Sequence, residues 1–85
     1  MTDHDILCRL TQILSDLLSD DAIVLTMETT RDDVPNWDSF AYINFIVAVE
    51  IEFGVKFGVA EVESFPNVGS IVRRISGILV NRITA

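Results

Sequence analysis

Val34-Pro35-Asn36-Trp37-Asp38-Ser39-Phe40-Ala41-Tyr42-Ile43-Asn44-Phe45-Ile46-Val47-Ala48-Val49-Glu50-Ile51-Glu52-Phe53-Gly54 passes from a turn into a helix and out again. Pro35 disfavours helix at Val34, and Asn36 favours a turn. Asp38 has the short acceptor side chain of an N-cap, so the helix begins at Asp38 or Ser39. Gly54 supplies the stop, and the helix runs to about Phe53. At about 100° per residue, Tyr42, Phe45, Ile46, Val49 and Phe53 share one side. Phe40, Ile43, Val47 and Ile51 share the other, with Asn44 among them and Glu50 and Glu52 on the flanks. One apolar stripe suffices for a bundle helix. A second must pack on another element, line a pocket or stay exposed to a partner. If the helix is central and covered all round, Phe40, Ile43 and Val47 are plain core.

Outward from this helix, the rest of the chain also reads as helical. Ile6, Leu7, Leu10, Ile13, Leu14, Leu17 and Leu18 recur at three- and four-residue steps and predict a helix over about Asp3 to Leu18. Cys8 lies near that stripe and reads as a small buried or half-buried residue, with no neighbouring base to activate it; His4 reads as solvated. Residues 19–38 form a long acidic connection, which Ile23, Val24, Leu25 and Met27 are expected to pin to the core, with Trp37 packing where it meets the bundle. Glu61 to Phe65 has room for a single short helical turn. After Pro66 and Asn67, Val68, Ile71, Val72, Ile75, Ile78 and Leu79 make the stripe of a last helix, with Arg73, Arg74 and Arg82 toward its C-terminal end. No strand pattern competes. The expected fold is an all-α, small four-helix bundle of three main helices and one short one, with a long first loop. Residues 1–85 contain no repeat or flexible linker and read as one domain.

Composition narrows the function. The chain has 85 residues, 49% hydrophobic and 22% charged, which suits a folded globule. Its 13 acids and 6 bases give a net charge of -7, unfavourable for nucleic acid. All the acids lie before residue 64, where the bases are Arg9, Arg31 and Lys56; beyond it stand Arg73, Arg74 and Arg82 and no acid. A partner rich in lysine and arginine would be drawn to the first part; solubility alone is an equal reading of the acids. One cysteine excludes an internal disulfide, and one histidine with one cysteine makes no ordinary zinc site. No membrane span and no signal-peptide pattern is present, so a cytoplasmic setting is expected. A monomer is the default for so small a domain.

Ser39 is the residue with chemical potential. Amide donors at a helix start, aided by the dipole, make a good place for an anion such as a phosphate ester. Nothing in the chain activates Ser39 as a nucleophile, since the only histidine is His4. The acids are spread over loops and helix flanks, so an enzyme is the least expected class. If Ser39 is chemically used, another protein modifies it. The bland alternative is an ordinary capping sequence.

The run Val34 to Phe40, followed by Ile43 to Val55, resembles an acyl carrier protein: the family carries Asp-Ser-Leu at the start of its second helix, then an apolar helix ending in glutamates, Phe and often Gly. Phe65-Pro66-Asn67-Val68-Gly69-Ser70-Ile71 is similar to the start of the family's last helix. The resemblance covers nearly the whole chain. It implies that Ser39 carries 4′-phosphopantetheine, attached as a phosphodiester by a phosphopantetheinyl transferase using coenzyme A, which would make the chain a phosphoprotein. The arm's thiol then holds acyl groups as thioesters for a loading ligase or acyltransferase and for synthase enzymes with basic patches. The resemblance also implies that Asp38 flanks the attachment site. Phe40, Ile43, Val47 and Ile51 would contact partners or acyl chain, and Asp38, Glu50 and Glu52 would face basic patches.

Three residues depart from the family pattern. Phe40 replaces the commoner leucine, and Asn44 and Ile51 stand where many fatty-acid-synthesis members carry acids. The resemblance with these departures implies a dedicated carrier for a lipid, polyketide or other specialised pathway. Alternatives are a peptidyl or aminoacyl carrier, against which stands Trp37-Asp38 in place of a Gly-Gly, and an unmodified helical interaction module.

Overall fold

The computed structural model describes residues 1–84, with side chains through residue 81. It is all-helical: α1 (Asp3–Leu18), a 3-10 turn (Arg31–Asp33), α2 (Ser39–Phe53), α3 (Val59–Ser64) and α4 (Val68–Thr84). These are the three long helices and one short one that the periodicity predicts.

Each helix start has a local cause. Thr2 and Asp5 cap α1 reciprocally, the Asp5 amide donating to Thr2 Oγ1 and the Thr2 amide to Asp5 Oδ2, both at 3.1 Å. Asn67 Oδ1 accepts from the Ser70 amide at 3.0 Å and caps α4. α2 ends at Gly54, whose φ of 64° is left-handed and favours glycine.

α1 packs against both α2 and α4. Ile6, Leu10 and Leu14 of α1, Phe45 and Val49 of α2, and Val68, Ile71, Val72 and Ile75 of α4 are fully buried or nearly so. Each such side chain contributes about 1.5–3 kcal/mol by leaving water. α2 therefore turns one of its two apolar sides inward. Phe40, Ile43, Val47 and Ile51 stay exposed, so the central-helix reading, with these residues as core, does not hold.

The long first loop is strapped to α4. The Val68 amide donates to the Thr29 carbonyl and the Gly69 amide to the Met27 carbonyl, both at 2.8 Å. These bonds satisfy amides that the start of a helix leaves free. Ile23 and Leu25 are buried and Met27 is half-buried, but Val24 points out, because an extended segment alternates its side chains.

Three further expectations are corrected. Cys8 is exposed rather than buried, and His4 Nε2 stands 3.6 Å from its Sγ, since residues four apart share a helix face. α3 begins at Val59, two residues before the expected turn, with Gly58 at its N-cap in extended conformation and the Val62 amide donating to the Gly58 carbonyl at 3.0 Å. Arg73 and Arg74 lie in the first half of α4, where Arg74 Nε pairs with Glu61 Oε1 of α3 at 3.0 Å. Arg82 falls outside the described side chains.

Candidate functional site

The site is built by the end of the long loop. The Trp37 amide donates to the Val34 carbonyl at 3.4 Å, closing a turn with Pro35 second and Asn36 third. Asn36 has a φ of 68°, and a proline followed by a left-handed residue is the requirement of a type II turn. That turn delivers the Trp37 indole into the core. It meets Phe45 edge-on at 5.2 Å and Tyr42 tilted at 6.0 Å between ring centroids. With Trp37 anchored and 4% exposed, the next two residues have a fixed position at the mouth of α2.

Asp38 is the N-cap of α2. Its Oδ1 accepts from the Ala41 amide at 2.8 Å, and its carbonyl accepts from the Tyr42 amide at 2.8 Å. Its carboxylate is thereby held in a capping role. Ser39 is the first helical residue and is exposed. The amides of Ser39 and Phe40 belong to the first turn, where no helix carbonyl can reach them.

Ser39 opens onto a cleft of about 450 Å³ that also touches Arg31, Tyr42, Ile43, Val62 and Phe65. Tyr42 floors it. Its hydroxyl donates to the Val62 carbonyl at 2.7 Å, and the Arg31 guanidinium lies 5.0 Å above its ring. Burial pushes the Tyr42 phenol above its usual pKa of 10.0, and the Arg31 charge opposes that rise. Arg31, Tyr42, Val62 and Phe65 did not stand out as site residues in the sequence. They come from three separate segments, the 3-10 turn, α2, and α3 with its C-cap, and no local pattern could have joined these.

The remaining residues of interest lie along α2. Phe40, Ile43, Val47 and Ile51 form one exposed line that begins beside Ser39. Glu50 is half-buried, and its Oε2 accepts from the Phe57 amide at 2.8 Å. Glu52 is exposed and pairs with Arg9 of α1. Among the described residues there is no His, Cys, Asp and Glu cluster able to hold a metal, and no helix long and apolar enough to cross a membrane.

The described residues thus form a small four-helix bundle whose first loop sets an exposed serine at a helix start, with an apolar line beside it. No family model matches the sequence, and no curated protein matches it significantly. The fold superposes on the solution NMR structure of the holo acyl carrier protein from Geobacter metallireducens with a TM-score of 0.84 and 34% sequence identity. The match covers 93% of this chain and 91% of that one. The chain belongs to the acyl carrier protein family. It is a carrier protein and not an enzyme.

Proposed function

We propose that Ser39 carries 4′-phosphopantetheine and that the chain presents acyl intermediates to the enzymes of a dedicated lipid, polyketide or other specialised pathway. The exposed Ser39 hydroxyl at the first position of α2 is the observation that carries this reading. The residues present fit the group. Two amides without helix partners, those of Ser39 and Phe40, are donors for a phosphodiester, and the helix dipole favours its charge. Arg31 lines the same cleft, where its charge opposes that of the Asp32 carboxylate. When bound, the arm supplies a terminal thiol that holds an acyl group as a thioester.

The chain's own residues do the positioning. Trp37 anchors the loop in the core, Asp38 caps α2, and together they hold Ser39 outward for a phosphopantetheinyl transferase working from coenzyme A. A loading ligase or acyltransferase and a synthase would follow on the same face. The acidic surface steers encounters with basic patches on such enzymes, an effect more of rate than of affinity. Neutral Asn44 and apolar Ile51 on the exposed side of α2 support a narrow, dedicated partner set over a housekeeping one. In this reading residues 1–85 act as one carrier domain, monomeric and cytoplasmic.

The test is intact mass after incubation with coenzyme A, magnesium and a broad-specificity transferase, alongside Ser39→Ala. One phosphopantetheine gained by the wild type and none by the variant is the expected result. A folded chain that gains nothing from two different transferases would favour an unmodified interaction module.

A further inference from the structure

The cleft beside Ser39 is lined by a single cation, Arg31, and by two acids, Asp32 and Glu63. Among the described residues no carboxylate lies within ion-pair distance of the Arg31 guanidinium, and none of its N–H groups has an acceptor; the arginines so engaged are Arg9 and Arg74. What the guanidinium does meet is the Tyr42 ring, with 5.0 Å between its central carbon and the ring centroid. That attraction is to the negative face of the ring and needs no hydrogen-bond acceptor, so the planar fork of donors stays available.

The backbone fixes where this group stands. Arg31 opens the 3-10 turn, which is closed reciprocally: the Thr30 amide donates to Asp33 Oδ2 at 2.9 Å and the Asp33 amide to the Thr30 carbonyl at 3.1 Å. Just before it, the Met27 and Thr29 carbonyls strap the loop to α4. Tyr42 stands three residues after Ser39 in α2, and residues three apart are neighbours on a helix surface, with about 5–6 Å between their Cβ atoms. A group joined to the Ser39 oxygen and a guanidinium resting on Tyr42 therefore share one small space.

A phosphodiester in that space carries one negative charge on two oxygens that accept hydrogen bonds and donate none. Ionised Asp32 and Glu63 have no donors to offer and repel it. Arg31 offers the opposite charge and a fork that matches two phosphate oxygens. We infer that Arg31 holds the Ser39 phosphodiester by a forked, charge-assisted hydrogen bond and so lays the first part of the arm into the cleft over Tyr42. The inference rests on Ser39 being the modified residue. Lysine, a point charge without the fork, would replace Arg31 only in part.

The experiment compares the apo and holo forms of the full chain, loaded from coenzyme A by a broad-specificity transferase and checked by intact mass. Arginine side chains are followed by 15N NMR and the phosphodiester by 31P NMR. On loading the wild type, the Arg31 Nε–Hε signal, identified by its loss in Arg31→Gln, shifts, and its hydrogen exchange slows about tenfold, as a hydrogen bond to a charged group requires. The signal of Arg73, an exposed residue of α4 that does not line the cleft, stays in place. The 31P signal of holo Arg31→Gln moves toward that of free phosphopantetheine in diester linkage, and that of Arg31→Lys falls between; about 0.5 M salt narrows the difference. Circular dichroism checks the fold of both variants. The first comparison is made on the wild type, so it decides even where a variant loads poorly. An Arg31 signal and exchange rate unchanged by loading would overturn the inference, as would an equal response at Arg73 or a 31P signal identical in wild type and Arg31→Gln. A wild-type chain that gains no mass would instead remove the reading of Ser39 itself, and the inference with it.

Discussion

The Tyr42 hydroxyl donates a 2.7 Å hydrogen bond to the carbonyl of Val62, joining α2 to the short helix α3 across the floor of the cleft beside Ser39. α3 has only six residues and buries only Val62, so this bond is a main fastening for it. Tyr42→Phe keeps the ring and removes the bond, leaving a buried carbonyl without its donor. We expect a loss of about 1–2 kcal/mol in urea unfolding. A midpoint unchanged from wild type would mean that α3 is held by packing alone.

The same hydroxyl predicts a pH dependence. Burial raises the Tyr42 pKa above 10.0, so the fold favours the neutral phenol. That contribution is present in full below pH 10 and is lost as pH rises through the folded value. The Tm difference between wild type and Tyr42→Phe should therefore narrow above pH 10. Asp5 behaves in the opposite sense. The Thr2 amide and hydroxyl hold its carboxyl below 3.8, so its contribution is present above that value and fades as pH falls through the lower, folded one. Asp5→Asn should flatten this acid limb in a Tm-against-pH series.

Gly69 and Gly77 sit in the same helix and should respond oppositely to alanine. A Cβ on Gly69 would come within 2.6 Å of the Met27 carbonyl oxygen, the atom that Gly69's own amide bonds. Gly69→Ala must push the loop off α4, at a cost of about 1–3 kcal/mol. Nothing lies within 4 Å of a Cβ on Gly77, so Gly77→Ala should stabilise by up to about 1 kcal/mol through helix propensity. Thermal unfolding of the two variants would expose any error in this contrast.

Asp38 has two roles that substitution can separate. Its Oδ1 caps α2, and Asp38→Ala should cost about 1 kcal/mol of stability. Asp38→Asn keeps an acceptor oxygen and should restore most of that stability. If the carboxylate's charge also matters to the transferase, Asp38→Asn will be stable yet slow to gain mass at Ser39. Equal stability and equal modification rate in Asp38→Asn and wild type would assign Asp38 to capping alone.

Much of the fold was legible because its signals are local. Pro35, Asn36, Asp38 and Gly54 bracket α2 to within about a residue, since each acts on the backbone beside it. Where the reading slipped, a side chain's surroundings were at issue. Cys8 lies next to the stripe of α1 yet faces water, and Val24 is as apolar as its buried neighbours yet points outward. The candidate site divides in the same way. Asp38 and Ser39 at a helix start, and Phe40 to Ile51 as one of two apolar stripes, could be read from spacing, whereas Arg31, Val62 and Phe65 could not.

The sequence by itself determined the helices, their caps and the exposed serine's position at a helix start, because hydrogen bonds between near neighbours and a 3.6-residue period need no distant partner. Only the tertiary structure decided which of α2's two apolar sides is core, that Glu50 and Glu52 are engaged within the chain, and that a cleft opens beside Ser39. Those outcomes depend on residues such as Arg9, Phe57 and Val62, brought to α2 from elsewhere in the chain. Burial and pairing are properties of what the folded chain brings together, and a helix's own sequence does not contain its neighbours.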